Sequence, residues 1–358
     1  MKRPAAAMVL LVLTGTVLEH ETEGRLPHQL AAHSVSVATD DGATIMLHRY
    51  EAAGPPVLVV HGISSNHHCW DLAPDRSIGL ALQAAGLDAW LVDLRGHGSA
   101  THDTEGKRQW AGWSIDHYGR HDIPAAIDHI REQTGFKEVA YLGHSLGGMV
   151  GAIYAGTHPQ GDESLSALIA VGAPMDFSDP DPLVLGSLTL ARYTWIPVVP
   201  SDVGGDFRAM LGGAARTPLD AWVDGMLFND LSEEMVPEMY RRVASPLSRG
   251  ELRQLALVGQ EGSFLDSAGE IDYLASLEQV TTPTLVIAGR ADHIAPVDRV
   301  LPYYQRVGAE RKRFVIAGRS TGFAADYGHL DLTLGDHASE EIYPLVVDWI
   351  SGSVGEAR

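Results

Sequence analysis

The sequence contains little cysteine and little positive charge. Cys69 is the single cysteine among 358 residues, so no disulfide forms within the chain, and an oxidising compartment is neither implied nor excluded. Lysine and arginine together number 26 against 46 aspartate and glutamate residues, which gives a formal net charge of −20. This charge disfavours nucleic acid and an anionic membrane surface as partners.

A hydrophobic segment long enough to cross a membrane is also lacking. The apolar stretch from Ala5 to Leu18 follows Lys2 and Arg3, but it is shorter than the roughly 20 residues of a spanning helix. No small-x-small cleavage site follows it. We therefore place residues 1–30 outside the fold, as an apolar segment that resembles a signal or an anchor. A cytoplasmic location is favoured over export, and any membrane association is through this segment only.

Short apolar runs recur along the rest of the chain, separated by segments with helical spacing. The runs predict strands at Val57–Val60, Leu87–Val92, Val139–Leu142, Ser166–Val171, Thr284–Ala288 and Arg313–Ala317. Two more strands flank the hairpin turn Asp40-Asp41-Gly42, and Asp75–Ala85 and Ile123–Glu132 read as helices. This alternation predicts an α/β fold in which a mainly parallel central sheet carries helices on both faces.

The pentapeptide Gly143-His144-Ser145-Leu146-Gly147 is the most informative motif. It fits the Gly-x-Ser-x-Gly pattern of a nucleophile elbow and directly follows a buried strand. The glycines permit a turn in which a Cβ would clash, and the turn exposes the serine hydroxyl. The serine also lies at the start of a helix, where unpaired N–H groups stabilise negative charge. The motif therefore predicts that Ser145 is reactive.

An aspartate and a histidine follow the elbow at the ends of later strands. Asp292 lies just past Thr284–Ala288, and His329 lies in a loop between Arg313–Ala317 and the last helix. The chain order Ser145, Asp292, His329 is typical of Ser…Asp…His triads on such sheets. We favour these two because each has a strand-then-loop position. The competing residues are His293 and His337 for the histidine, and Asp298 and Asp266 for the aspartate.

Together these features resemble the α/β-hydrolase superfamily, and within it the esterase and lipase branch. The resemblance extends from about Ser34 to Ile350. It implies that Ser145 is the nucleophile, that His329 is the general base and then the general acid, and that Asp292 orients the imidazole. It further implies an oxyanion hole formed by the backbone N–H groups of Ile63 and Leu146, with no cofactor. The motifs that carry it are His61-Gly62, Asp93-Leu94-Arg95-Gly96-His97-Gly98-Ser99, the elbow, Gly289-Arg290-Ala291-Asp292 and Gly328-His329-Leu330-Asp331.

The identity of the nucleophile narrows the reaction. Within the same resemblance, relatives that open epoxides or displace halide carry aspartate at the elbow and polyester synthases carry cysteine, whereas this chain has Ser145. Acyl transfer to water is therefore favoured, as in a carboxylesterase or lipase that forms an acyl-enzyme. The open alternatives are a thioesterase, a carbon–carbon hydrolase, an acyltransferase, a cofactor-free haloperoxidase or perhydrolase, and a non-catalytic binding protein.

The long interval between Pro174 and Thr284 predicts an insertion, because elements of such a fold are normally joined by a few residues. We assign residues 31–174 and 280–358 to the catalytic domain and residues 175–279 to a largely helical cap. Met235–Val243 and Glu251–Val258 are two amphipathic helices of this cap. The rest of the cap is rich in apolar side chains, which favours a small lipophilic ester as the substrate.

Two motifs have a weaker functional interpretation. His67-His68-Cys69 contains metal-ligand residue types, but the sequence shows no second cluster with metal spacing. We therefore expect no bound metal and expect these residues to line the pocket wall. The turn from Asp93 to Gly98 predicts a charged pair between Asp93 and Arg95 beside the site, with a structural role.

Overall fold

The computed structural model describes residues 30–31, 33–109, 112–179, 198–199 and 224–354. At its centre lies an eight-stranded sheet, whose strands we number β1 to β8 in chain order. They are β1 His33–Ala38, β2 Thr44–Tyr50, β3 Pro56–Val60, β4 Asp88–Asp93, β5 Val139–His144, β6 Leu165–Val171, β7 Thr284–Gly289 and β8 Lys312–Ala317. Across the sheet the strands follow the order β1-β2-β4-β3-β5-β6-β7-β8.

Within this sheet β2 is antiparallel to both of its neighbours, β1 and β4. All the other neighbouring strands are parallel. The strands β3 to β7 are buried along their whole length, which explains why they read as continuous apolar runs. The predicted α/β fold with a mainly parallel sheet is confirmed, and so is the hairpin of β1 and β2.

Helices cover both faces of the sheet. On β3, Leu58 and Val60 point into one hydrophobic core and Val57 and Val59 into the other. The first core is completed by α3, α4 and α8, and the second by α1 and α10. The helices are α1 Ile78–Ala84, α2 Ile115–His117, α3 Ile123–Thr134, α4 Leu146–Thr157, α5 Val236–Val243, α6 Arg249–Glu261, α7 Tyr273–Ser276, α8 Val297–Arg306, α9 Asp331–Leu334 and α10 Ala338–Val354.

The first helix begins later than the sequence predicts. Asp71–Ala73 pairs antiparallel with Arg76–Ser77, so the start of the predicted helix Asp75–Ala85 belongs to a short hairpin. The Ser77 hydroxyl then accepts a hydrogen bond from the N–H of Leu80 at 3.1 Å. This cap fixes the helix start at Ile78.

Both helices predicted for the later part of the insertion are present, as α5 and α6. The break between them contains Pro246, and α6 begins with a capping box. In this box the Ser248 hydroxyl accepts from the Glu251 N–H at 3.1 Å, and the Glu251 carboxylate accepts from the Ser248 N–H at 2.7 Å. The apolar residues predicted for the first part of the cap, from Leu183 to Val223, mostly lie outside the described residues. The domain bounds therefore stay a prediction.

The predicted N-terminal apolar segment lies almost wholly outside the described residues as well. In the ranges that are described, every helix falls short of the length and apolar character that crossing a bilayer requires.

Candidate active site

Ser145 lies on a strained turn between β5 and α4. Its backbone angles are φ 53° and ψ −119°, a left-handed conformation that non-glycine residues rarely adopt. The turn depends on its glycines: a Cβ on Gly143 would lie 2.4 Å from the carbonyl oxygen of Gly147. A Cβ on Gly147 would lie 2.6 Å from the carbonyl oxygens of Val60 and His61. The sequence thus folds locally into the sharp strand-to-helix turn that the motif predicts.

Asp292 and His329 are in direct contact. The Nδ1 atom of His329 lies 2.7 Å from Oδ2 of Asp292, and both side chains are buried. The other carboxylate oxygen accepts hydrogen bonds from the N–H groups of Ile294 and Ala295 at 2.8 and 2.7 Å. Burial works to raise the pKa of Asp292, but the His329 imidazole and these hydrogen bonds outweigh it and lower the pKa. Asp292 is therefore ionised at neutral pH.

Ser145 lies beside this pair. Its N–H donates to Val171 at the end of β6 at 2.8 Å. At the next residue, Gly172, a Cβ would lie 3.5 Å from both Asp292 Oδ2 and His329 Cε1. Between the described residues no hydrogen bond joins Ser145 Oγ to His329. Such bonds often form only when substrate is bound. The structure therefore brings the three predicted residues to one edge of the sheet.

The loop after β3 carries the predicted oxyanion donor Ile63 past Ser145. A Cβ on Gly62 would lie 3.2 Å from Cβ of Ser145, a tight contact that the glycine avoids. Within the described residues, neither the Ile63 N–H nor the Leu146 N–H has a hydrogen-bond acceptor. Both groups are therefore available to a substrate oxygen.

His61 fixes the orientation of this loop. The Leu94 N–H donates to His61 Nε2 at 3.2 Å, so Nε2 is an acceptor and the proton lies on Nδ1, which donates to the carbonyl oxygen of Gly62 at 2.8 Å. In a planar trans peptide the carbonyl and the next N–H point in opposite directions. The bond to Gly62 therefore also fixes the direction of the Ile63 N–H. Burial lowers the pKa of His61 to about 3, so the imidazole is neutral.

His144, the variable residue before Ser145 in the elbow, holds the histidine loop from the other side. Its Nε2 atom lies 3.0 Å from the backbone oxygen of His329 and donates to it. Burial, followed by the nearby His329, lowers the pKa of His144 to about 3. This role could not be predicted, because nothing in the pentapeptide indicates where the imidazole points.

Asp331 joins the same loop to the insertion. Its Oδ2 atom accepts hydrogen bonds from the N–H groups of Gly328, Asn229 and Asp230 at 2.7, 2.6 and 3.0 Å. Burial raises the pKa of Asp331 to about 6, although these hydrogen bonds oppose the shift. The motif that contains Asp331 does not indicate this role, because the partners in residues 229–230 are about a hundred positions away.

The competing triad candidates lie in other environments. His293 and Asp298 are exposed. His337 pairs with Asp230 at 2.8 Å and Asp266 pairs with Arg120 at 3.3 Å. Among these candidates, His329 and Asp292 are the pair that joins a buried imidazole to a buried carboxylate at the end of the sheet.

The predicted pair between Asp93 and Arg95 is wrong. Arg95 binds Asp122 and Asp41, with N···O distances of 2.7 and 2.6 Å. The carboxylate of Asp93 is instead filled by nitrogen donors: His48 Nε2 at 3.0 Å, the His67 ring and N–H at 2.8 and 2.9 Å, and the Ser99 N–H at 2.8 Å. With its oxygens already occupied, Asp93 has no position left for the arginine.

This network also bears on the His67-His68-Cys69 motif. His48, His67 and Asp93 bring metal-ligand atoms within 4.8 Å of one another, a cluster that the sequence did not indicate. Their facing atoms are engaged in the hydrogen bonds just described, which is the arrangement of a buried polar network that fixes the loop after β3 to the end of β4. Cys69 is fully buried, and burial raises the pKa of its thiol to about 12.

Comparison with known proteins places the chain among relatives of this architecture. Residues 55–331 match the family profile described as alpha/beta hydrolase fold. The chain is 25% identical over 313 residues to the poly(3-hydroxyalkanoate) polymerase subunit PhaC of Haloferax mediterranei, which covers 83% of this chain and 58% of that protein. It is 35% identical over 137 residues to lipase member M of Mus musculus, which covers 35% of this chain and 32% of the lipase.

The chain thus spans less than two thirds of the length of these relatives. A thermophilic esterase from Thermogutta terrifontis has a similar structure, with a TM-score of 0.58 at 18% identity. The match covers 90% of this chain and 99% of the esterase. At that identity the likeness shows a shared fold.

Proposed function

Because the chain belongs to the alpha/beta hydrolase family, we propose that it is a serine hydrolase that cleaves carboxylic esters of lipophilic substrates through Ser145, His329 and Asp292. One observation carries the proposal. The strained serine, the buried imidazole–carboxylate pair 2.7 Å apart and the open N–H groups of Ile63 and Leu146 all lie at the same edge of the sheet. This is the set of groups that acyl transfer through a serine requires.

In the proposed mechanism Ser145 Oγ attacks the ester carbonyl and its proton passes to Nε2 of His329. Asp292 keeps the other ring proton on Nδ1 and stabilises the imidazolium. The carbonyl oxygen gains negative charge and accepts hydrogen bonds from Ile63 and Leu146. His329 then protonates the alcohol, which leaves an acyl-enzyme. Water, deprotonated by the same imidazole, attacks the acyl-enzyme and releases the acid.

Two observations favour a lipophilic ester as the substrate. The insertion of residues 175–279 is rich in apolar residues, and its described helix α5 presents Met239 and Val243 to a hydrophobic cluster with residues of the catalytic domain. The chain also shares 35% identity over 137 residues with lipase member M. An apolar cap that excludes water favours an acyl chain over a sugar or a peptide.

The test is hydrolysis of p-nitrophenyl esters from acetate to palmitate by the wild type and by Ser145→Ala. We expect the variant to fold normally and to lose turnover by at least about a thousandfold, because it has no nucleophile. The chain length with the highest kcat/KM then gives the size of the acyl pocket. Ser351→Ala, on an exposed turn of α10, is the matched control. Full activity in Ser145→Ala contradicts the proposal.

A second candidate is an ester of a 3-hydroxy acid. The match to the poly(3-hydroxyalkanoate) polymerase subunit is long, since it covers 83% of this chain, including the insertion. Ser145 favours hydrolysis over polymerisation, because the polyester synthases that the sequence resembles carry cysteine there. The test adds oligomers of 3-hydroxybutyrate and a 3-hydroxybutyryl thioester to the same panel of substrates. Shortened oligomers indicate polyester cleavage, released thiol with free acid indicates thioester cleavage, and lengthened oligomers indicate chain growth. Oligomer turnover above that of the simple esters supports this candidate.

A further inference from the structure

Ser64 and Ser145 share an unusual backbone. Among the described residues they are the two non-glycine residues with positive φ, at 52° and 53°. Each is next in the chain to one of the proposed oxyanion donors: Ser64 follows Ile63, and Ser145 precedes Leu146. A left-handed serine persists only where its surroundings hold it. The conformation of Ser145 is explained by the elbow, so the conformation of Ser64 requires its own explanation.

Contacts with the insertion supply that explanation. The Ser64 hydroxyl donates to the backbone oxygen of Ser245 at 2.7 Å, and the Ser245 N–H donates to the backbone oxygen of Ser64 at 3.0 Å. Asn66, two residues further on, donates from Nδ2 to the Arg242 backbone oxygen at 2.8 Å and to Ser245 Oγ at 3.1 Å. Residues 242–245 comprise the end of α5 and the first residues after it, so the loop that carries Ile63 is bound directly to the insertion.

We infer that the two hydrogen bonds between Ser64 and Ser245 position the oxyanion hole. Residues 242–245 of the insertion hold Ser64 in its left-handed conformation and thereby keep the Ile63 N–H directed at the substrate oxygen. His61 fixes the same segment from its other side through the carbonyl of Gly62. The inference rests on the proposed function. Ser64 is a positioning residue, because it acts on the substrate through Ile63.

Ser64→Ala separates this role from a purely structural one. The variant loses the hydroxyl bond but keeps the Cβ that disfavours positive φ, so the loop relaxes and the Ile63 N–H turns away. We expect kcat to fall about tenfold with KM unchanged, less than the hundredfold or more that complete loss of a donor costs. Affinity for a trifluoromethyl ketone, which forms an oxyanion adduct with the serine, is expected to fall in proportion to kcat/KM.

Two further variants complete the test. Ser64→Gly also lacks the hydroxyl but adopts positive φ without strain, so it is expected to recover part of the lost kcat. Ser248→Ala is the matched control, because Ser248 is a buried serine of the insertion whose hydroxyl donates at 2.6 Å to the backbone oxygen of Trp113 and not to the oxyanion loop. It is expected to lower the melting temperature and leave kcat unchanged.

Wild-type kcat in Ser64→Ala, an equal loss in Ser248→Ala, or no recovery in Ser64→Gly overturns the inference while the proposed function stands. A wild type that turns over no ester and is not labelled at Ser145 by a fluorophosphonate overturns the proposed function and this inference with it.

Discussion

The hydrogen bond between Asp292 and His329 decides which ring nitrogen of the proposed base is free. Because Asp292 is ionised, its carboxylate accepts a hydrogen bond from the Nδ1–H of His329 and leaves Nε2 as the acceptor for the serine proton. In Asp292→Asn the amide retains the size of the side chain but can donate to Nδ1. The imidazole is then held in the wrong tautomer.

We expect Asp292→Asn to lower kcat by about 10³- to 10⁴-fold with little change in KM. Ester hydrolysis and the rate of fluorophosphonate labelling at Ser145 measure the effect. Asp298→Asn is the control, because Asp298 is exposed on the first turn of α8. An Asp292→Asn variant with more than a tenth of the wild-type kcat contradicts the role of Asp292.

At the scale of elements, β3 and α4 pack against each other through a glycine. The backbone of Gly147, in the first turn of α4, approaches the carbonyl oxygens of Val60 and His61 so closely that a Cβ would lie 2.6 Å from both. Val60 ends β3, and its carbonyl oxygen also accepts a hydrogen bond from the Trp70 indole N–H at 3.2 Å, so the backbone here cannot move aside without disturbing that bond. A methyl group at this position therefore separates the elbow from the oxyanion loop.

For Gly147→Ala we expect a loss of about 3 kcal/mol or more in the free energy of unfolding, despite the better helix propensity of alanine. Gly225→Ala is the matched control, since a Cβ on Gly225 meets no atom within 4 Å. Its stability is expected to be unchanged or slightly higher. Urea denaturation of the three proteins gives the comparison, and equal midpoints for both variants contradict the close approach.

Elements whose sequence pattern is local were predicted well. Apolar runs identified the inner strands, and the elbow, Asp292 and His329 could be selected as candidates because each follows such a run. Features that depend on strand order were not predictable. His48 meets Asp93 because β2 pairs with β4, with His48 opposite Leu91, and the sequence does not give that pairing. The partners of Ser64, more than 170 residues away, were hidden for the same reason.

At the scale of the whole molecule, the protein holds several histidines whose full or partial burial keeps them neutral. Burial lowers the pKa of His61, His68 and His144 to about 3, whereas an unfolded histidine has a pKa of about 6.5. Below pH 6.5 the unfolded chain therefore binds more protons than the folded one, so the free energy of unfolding decreases as the pH is lowered. Asp331 acts in the opposite direction, because its pKa is raised to about 6 and its folded form binds the proton more tightly.

The three histidines lower the stability and the one aspartate opposes them. We expect the free energy of unfolding to decrease by about 3 kcal/mol for each unit by which the pH is lowered between pH 6 and 4. Urea denaturation at pH 7, 6, 5 and 4 measures the slope. His144→Gln, which removes one of the titrating groups, is expected to make it shallower by about 1.4 kcal/mol per unit. Constant stability from pH 7 to pH 5 in the wild type contradicts the burial of these imidazoles as neutral groups.

Because Cys69 is buried, the folded chain has effectively no reactive thiol. Its sulfur is fully covered and stays protonated at neutral pH, so alkylating reagents, which attack the thiolate, leave the native protein untouched. A cysteine introduced at exposed Arg253 on α6 thus becomes the one site that a maleimide dye modifies. A single fluorophore on the insertion is obtained without first replacing Cys69, and its emission reports the environment of α6 while substrate binds.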